Sequence, residues 1–188
     1  MSRDARDTLR FRLKDATAEA HARLDARMAD QDLSDRGVYG RFLQAHAAVI
    51  GPAERALEQA GVSRLLADWP ERRRAPALTS DMDRLRLTGG GAWEPVIAGE
   101  AESFGALYVL EGSRLGGRIL ASRVEASSDA DVREAVAYLN HGVGERLWMS
   151  FLNSLEASVD TRAGLARAQC SALSVFTAFS DALDESFA

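Results

Sequence analysis

The chain has 188 residues, 46% hydrophobic and 27% charged, with a formal net charge of −5. That length and apolar content suit a single folded domain over residues 1–188 and exclude a disordered chain. The mildly acidic balance excludes a dedicated nucleic-acid binder, which needs a basic face, and no window approaches the roughly 18 apolar residues of a membrane span.

The N-terminal stretch MSRDARDTLRFRLKDATAEAH is charged and lacks the apolar centre of a signal peptide. Leu9, Leu13, Ala16, Ala20 and Leu24 then step by three and four residues, which predicts an amphipathic helix over 8–28. After Asp35 a second helical pattern runs through Tyr39, Phe42, Leu43, His46, Val49 and Ile50. Gly51-Pro52 punctuates it and Leu57 carries it towards Gly61. His46 reads as a packing residue. A weaker segment covers 62–66, and Arg72-Arg73-Arg74, between Pro70 and Pro76, reads as a solvated loop. Thr79 or Ser80 is the candidate cap of a short helix holding Met82, Leu85 and Leu87. TGGGAWEP, residues 88–95, is a turn or loop, and a glycine-bearing helix spans 100–121 with Phe104 and Tyr108 as core positions. Ser128 or Asp129 caps a further helix through SSDADVREAVAYLNHG, whose His141 stands at its end. Segments 143–156 and 161–184 complete the set. The one cysteine, Cys170, lies in an apolar helical context and reads as a buried core thiol. It can form neither an internal disulfide nor a thiolate cluster, so a cytoplasmic location is expected. No strand pattern, repeat or long linker competes, and the expectation is an all-α domain of seven to nine helices.

The stretch LYVLEGSRLGG, residues 107–117, places Gly112, Gly116 and Gly117 inside a helix. Each costs on the order of 1 kcal/mol against alanine. Gly112 and Gly116 are one turn apart on one face. Two readings stand: close helix–helix packing, or a flat ligand lying against bare backbone. On the first helix, Lys14, Thr17 and His21 form one stripe, with Lys14 about 10.5 Å along the axis from His21. A neutral imidazole can ligate iron and a lysine two turns away can meet a carboxylate, but by spacing alone a histidine on a helix is more often packed or solvent-facing than a ligand.

Taken together, LKDATAEAH (13–21) resembles the proximal-helix signature of the heme oxygenase family, and LYVLEGSRLGG resembles its distal-helix signature, closest to the bacterial branch associated with bacteriophytochromes. FLNSLE, residues 151–156, is a third match. The resemblance implies a multi-helical bundle holding heme between a proximal and a kinked distal helix. It implies oxidative cleavage of heme by O₂ and external electrons to biliverdin, carbon monoxide and ferrous iron, with heme both substrate and cofactor. By the same resemblance His21 is the proximal iron ligand, and Lys14 meets a heme propionate with Thr17 beside it. Gly112, Gly116 and Gly117 leave room for heme and oxygen. The implied partners are a reductase or ferredoxin as electron donor, and a bacteriophytochrome as a candidate receiver of biliverdin, with no nucleic acid and no membrane.

The chain departs from the pattern in three places. Ser113 stands where many members carry the aspartate that organises distal water, so the anchor of that network must lie elsewhere. Arg114 and Arg118 stand where the bacterial pattern more often has uncharged residues, and they read as solvated. The C-terminal basic residues that clamp the propionates are not cleanly present, and Arg146 in HGVGERLWMSF is the candidate substitute. Two other function classes fit less well: a non-catalytic heme carrier or sensor of the same fold, and a thiaminase-like hydrolase. The hydrolase would need a cysteine nucleophile, which Cys170 is poorly placed to be.

Overall fold

A computed structural model describes residues 8–91, 93–158 and 162–188. The spacing of leucine and alanine in the first segment turns Leu9, Leu13 and Ala20 inward along helix α1 (Leu9–Ala29). Helix α2 (Arg36–Gln59) starts at Asp35, whose carboxylate accepts the Val38 N–H at 2.9 Å. Pro52 sits inside α2 without ending it. The carbonyl that its missing N–H leaves free, that of Ala48, is crossed by the glycine loop: a side chain at Gly91 would meet that oxygen at 2.3 Å. Gly61, at φ 80°, closes the helix in the left-handed region, and a short 3₁₀ turn (Val62–Arg64) follows.

Helix α3 (Trp69–Arg72) and helix α4 (Ala75–Arg84) each begin with a proline in the first turn, where no N–H is needed. This corrects the expected cap: Thr79 and Ser80 lie in the interior of α4. Helix α5 (Glu100–Glu125) runs unbroken through its glycines. Helix α6 (Ala130–Glu134) starts at the Asp129 cap but is far shorter than its pattern implies. Tertiary partners take over its backbone: the Asp81 carboxylate accepts the N–H groups of Ala137 and Tyr138 at 3.1 and 2.8 Å, and the Tyr39 hydroxyl donates to the Ala135 carbonyl at 2.5 Å. His141 therefore sits in a run of turns rather than at a helix end.

Helices α7 (Leu147–Ala157) and α8 (Arg162–Ser186) follow. α8 is the central element, packed against α5, α2 and α1, while α7 leans on α5 and α1. The α5–α8 crossing is close because Gly105 has no side chain, since a Cβ there would lie 2.1 Å from the Ala168 carbonyl oxygen. Cys170 points away from this core and is exposed, against the expectation of a buried thiol. The apolar stripe of α8 runs through Ala168, Ala172, Val175 and Phe179, and residue 170 falls about 200° round the helix from residue 168. Among the described residues the molecule is helical with no strand, and no helix is long and apolar enough to cross a membrane.

Candidate functional site

On α1, Lys14 is exposed, Thr17 is buried at 3% exposure, and the His21 side chain is 64% exposed. The Thr17 hydroxyl donates to the Leu13 carbonyl at 2.8 Å and stands beside the Tyr108 phenol on α5. The two signature helices therefore meet through this pair. Burial raises the Tyr108 phenol above its ordinary value, with Thr17 acting against it. The His21 ring stands edge-on to Phe176 of α8, centroids 5.9 Å apart, and its Nδ1 lies 2.9 Å from the Asp25 carboxylate. An imidazole held at Nδ1 by a carboxylate presents Nε2 outward as a ligand. The sequence carries the signal for this pair, since Asp25 lies four residues after His21 on the same face.

On α5 the glycines divide. A Cβ on Gly117 would lie 2.4 Å from the Leu139 carbonyl oxygen, so the turn before α7 demands a glycine there. A Cβ on Gly112 would make only ordinary contact with the Trp148 ring, at 3.7 and 3.8 Å, and one on Gly116 would meet nothing within 4 Å. Packing therefore explains Gly117 but not Gly112 or Gly116. The face these two share carries Leu115 and Ile119 at 61% and 68% exposure. An exposed apolar strip beside bare backbone is a surface for a flat apolar partner. Two clefts lie elsewhere. One is bounded by the 88–91 loop, α2 and α4, and the other by the α1, α5 and α8 ends around Leu9, Phe104 and Leu165. The glycine face is open surface, which those clefts do not include.

Behind that face lies a buried polar layer that the sequence hid. The arginine run is not a solvated loop. Arg72 is fully buried and paired with Glu111 at 2.8 Å, and Arg74 is 4% exposed. Arg73 is the more exposed member and pairs with Glu58 at 3.0 Å. The run is drawn inward because it joins α3 to α4 directly beneath α5, where buried acceptors await it. Arg74 donates to the Ser113 hydroxyl and to the Leu110 carbonyl, both at 2.8 Å, and its guanidinium lies 5.1 Å from the centre of the Tyr138 ring. The Ser113 hydroxyl in turn donates to the Leu110 carbonyl at 2.8 Å.

Arg114, expected in solvent, has a side chain only 9% exposed, bound to Glu111 at 3.0 Å. Its Nη1 donates to His141 Nδ1 at 2.9 Å, which places the proton of the neutral ring on Nε2. Burial, then the nearby guanidinium groups, hold His141 below its usual value. His46 packs as expected, tilted against Phe42 with centroids 3.9 Å apart, and burial pushes it down to about 4. Arg118 is exposed, as is Arg146, which stands at the start of α7 beside Leu147. Of the predicted set, Thr17 and Gly112 are thus drawn together around Tyr108 and Trp148, while Lys14, His21, Gly116 and Arg146 open to solvent.

The chain is 31% identical over 146 residues to a heme oxygenase of Xanthomonas campestris pv. campestris (strain 8004), an alignment covering 77% of this chain and 88% of that protein. No family model matches the sequence. Its fold is similar to that of the NO- and CO-bound heme oxygenase of Neisseria meningitidis (TM-score 0.79, 22% identity, 96% of this chain and 92% of that one). It is also similar to that of a heme oxygenase from Leptospira interrogans (TM-score 0.70, 18% identity, 95% and 99% covered).

Proposed function

The chain belongs to the heme oxygenase family, and from that premise we propose that the glycine face of α5 and the exposed imidazole of α1 hold heme for its oxidative cleavage to biliverdin, carbon monoxide and ferrous iron. The observation that carries the placement is the pair Gly112 and Gly116. Each weakens α5, neither is required by a neighbour, and both lie on one exposed apolar face.

The donor set fits the group. His21 has one nitrogen committed to Asp25 and the other free for iron, the arrangement in which an outer carboxylate orients the ligand and raises its basicity. Lys14, two turns away, would meet a propionate, and Arg146 at the head of α7 would offer a second cation. Thr17 acts through Tyr108, holding the phenol at the junction of α1 and α5. Gly112 and Gly116 keep the distal side bare, and Gly117 seats that helix against the Leu139 turn. When bound, heme supplies the iron at which O₂ is reduced and the ring edge that is opened. The protein supplies orientation and protons. Ser113, held by the buried Arg74, offers a fixed hydroxyl on the distal helix where many members carry an aspartate. Its anchor is therefore a cation beneath the helix rather than a carboxylate on it. No flavin or iron–sulfur motif is present in the sequence, so electrons come from an external reductase or ferredoxin. A bacteriophytochrome is the proposed receiver of biliverdin, and the cytoplasm the proposed location.

The test is a hemin titration read by absorbance, with His21→Ala alongside, followed by ascorbate in air. Growth of a Soret band to one equivalent, its weakening or shift in the variant, and conversion to a biliverdin spectrum are the expected results. Binding without bleaching would replace the enzyme by a carrier or sensor. No Soret band in the unsubstituted protein would sink the placement of heme altogether.

A further inference from the structure

One guanidinium spans the gap between the distal helix and α7. Arg72 Nη1 donates to Glu111 Oε2 at 2.8 Å and to the Leu147 carbonyl at 3.0 Å, and its Nη2 donates to the Ser150 hydroxyl at 2.5 Å. Glu111 is the chain neighbour of Gly112, and Leu147 is the chain neighbour of Trp148. Trp148 is the side chain nearest the missing Cβ of Gly112. Tyr108 and Phe104 of α5 also pack against Trp148 and Phe151 of α7, so the bare distal backbone and the indole that faces it are held by ring packing on one side and, on the other, by one buried guanidinium that grips the residues next to both.

The grip is itself held. Asp68 clamps the other edge of Arg72 through Nε and Nη2, at 2.7 and 2.8 Å. Arg114 donates to both oxygens of Glu111, at 3.0 and 3.1 Å, and also to the Arg72 carbonyl. His141 accepts from Arg114 on the far side. Two guanidinium groups meet two carboxylates, so the cluster is neutral as a whole while fixing four segments: α3, α5, the 137–146 turns and α7. Buried ion clusters of this kind are weak sources of stability, because desolvation offsets the Coulombic gain. Their geometry is another matter, since a planar fork with five donors can satisfy acceptors on several elements at once only in one arrangement.

We infer that Arg72, with Glu111 and Arg114, is a positioning unit for the reaction: it fixes the Gly112–Trp148 gap and with it the rotational seat of heme, and so which edge of the ring is opened. The inference rests on the placement of heme proposed above, and none of these three side chains is assigned contact with heme.

The experiment compares Arg72→Lys and Ser150→Ala with the unsubstituted protein. Lysine keeps the charge but has three donors on one nitrogen, in place of the donors that Arg72 spreads over Nε, Nη1 and Nη2 to Asp68, Glu111, Leu147 and Ser150. Ser150→Ala deletes one acceptor at an exposed residue and covers the case in which the lysine variant does not fold. In the heme-free protein, amide exchange at Ser150 and Phe151, in the first turns of α7, should quicken about tenfold in Arg72→Lys and less in Ser150→Ala, with α2 amides unchanged. In the heme-loaded protein turned over with ascorbate in air, the ratio of biliverdin isomers should shift in both. A merely structural role would lower the yield and leave the isomer ratio alone. Variants that fold and bind hemin yet keep the parental exchange and isomer ratio would overturn the inference. Failure of the unsubstituted protein to bind hemin overturns instead the functional reading on which it rests.

Discussion

Replacing Gly116 by alanine should make the heme-free protein more stable and the heme-dependent reaction worse. Gly116 lies inside α5, and a Cβ there meets no atom within 4 Å. The substitution removes glycine's excess freedom in the unfolded chain, worth about 0.5–1 kcal/mol, with no steric term against it. Gly112→Ala carries the same sign, because its nearest neighbours are two Trp148 ring carbons at 3.7 and 3.8 Å. Gly105 and Gly117 carry the opposite sign. Their added Cβ atoms would stand 2.1 and 2.4 Å from backbone oxygens of Ala168 and Leu139, which cannot swing aside as a side-chain tip can. Forced overpacking costs about 1–3 kcal/mol, more than the propensity gain returns. Urea unfolding of the four heme-free variants is the assay. With a slope of about 1–3 kcal/mol per molar urea, a change near 1 kcal/mol moves the midpoint by roughly 0.3–1 M, well outside measurement scatter. Hemin titration and turnover on the same samples complete it, since a methyl on the open face intrudes where heme is placed. A Gly116→Ala protein that is destabilised, or that is stabilised yet binds and cleaves heme unchanged, would refute the division of the glycines into packing and ligand positions.

Three further outcomes follow from named contacts. Burial holds His46 near 4, below the roughly 6.5 of an unfolded histidine, so the unfolded state binds more protons between those values. This contribution is therefore fully present above pH 6.5 and is lost as pH falls towards 4, by up to about 3 kcal/mol. His46→Gln should flatten the fall of the urea midpoint over that window, and parallel curves for the two proteins would exclude it. Asp25→Asn should weaken hemin binding by about 10–100-fold while leaving unfolding within roughly 0.5 kcal/mol, because the pair is a surface contact that matters for orienting a ligand. Equal hemin affinity would remove Asp25 from the site. Cys170 should react with a thiol reagent in the folded protein at nearly the rate seen in urea, and strong protection would contradict its exposure on α8.

Much of the architecture was legible because helices announce themselves locally. The spacing of Leu9, Leu13 and Ala20 marked the buried wall of α1, and Asp35, Gly61 and Asp129 marked ends where the chain turns. The two signature stretches were legible for the same reason: their chemistry is written in short spacings along one helix. Asp25, one turn after His21, obeys the same rule. The failures share a different cause. Arg72, Arg74 and Arg114 read as solvated because arginine usually is, and nothing nearby in sequence reveals Glu111 waiting 39 residues from Arg72. The segment after Asp129 read as a long helix because its residues favour one. It stops at Glu134 because Tyr39 and Asp81, far back in the chain, take its backbone groups.

The sequence by itself therefore determined the helical class, the faces of α1 and α5, and the presence of two glycines one turn apart on one face of α5, since each depends on spacings within a few turns. Only the tertiary structure decided which glycines are packing and which are open, and which arginines are buried beneath the distal helix. It alone joined α5 to α7 through one guanidinium. Those outcomes turn on atoms that meet across long stretches of chain, where burial and the need to satisfy every enclosed polar group outweigh local preference.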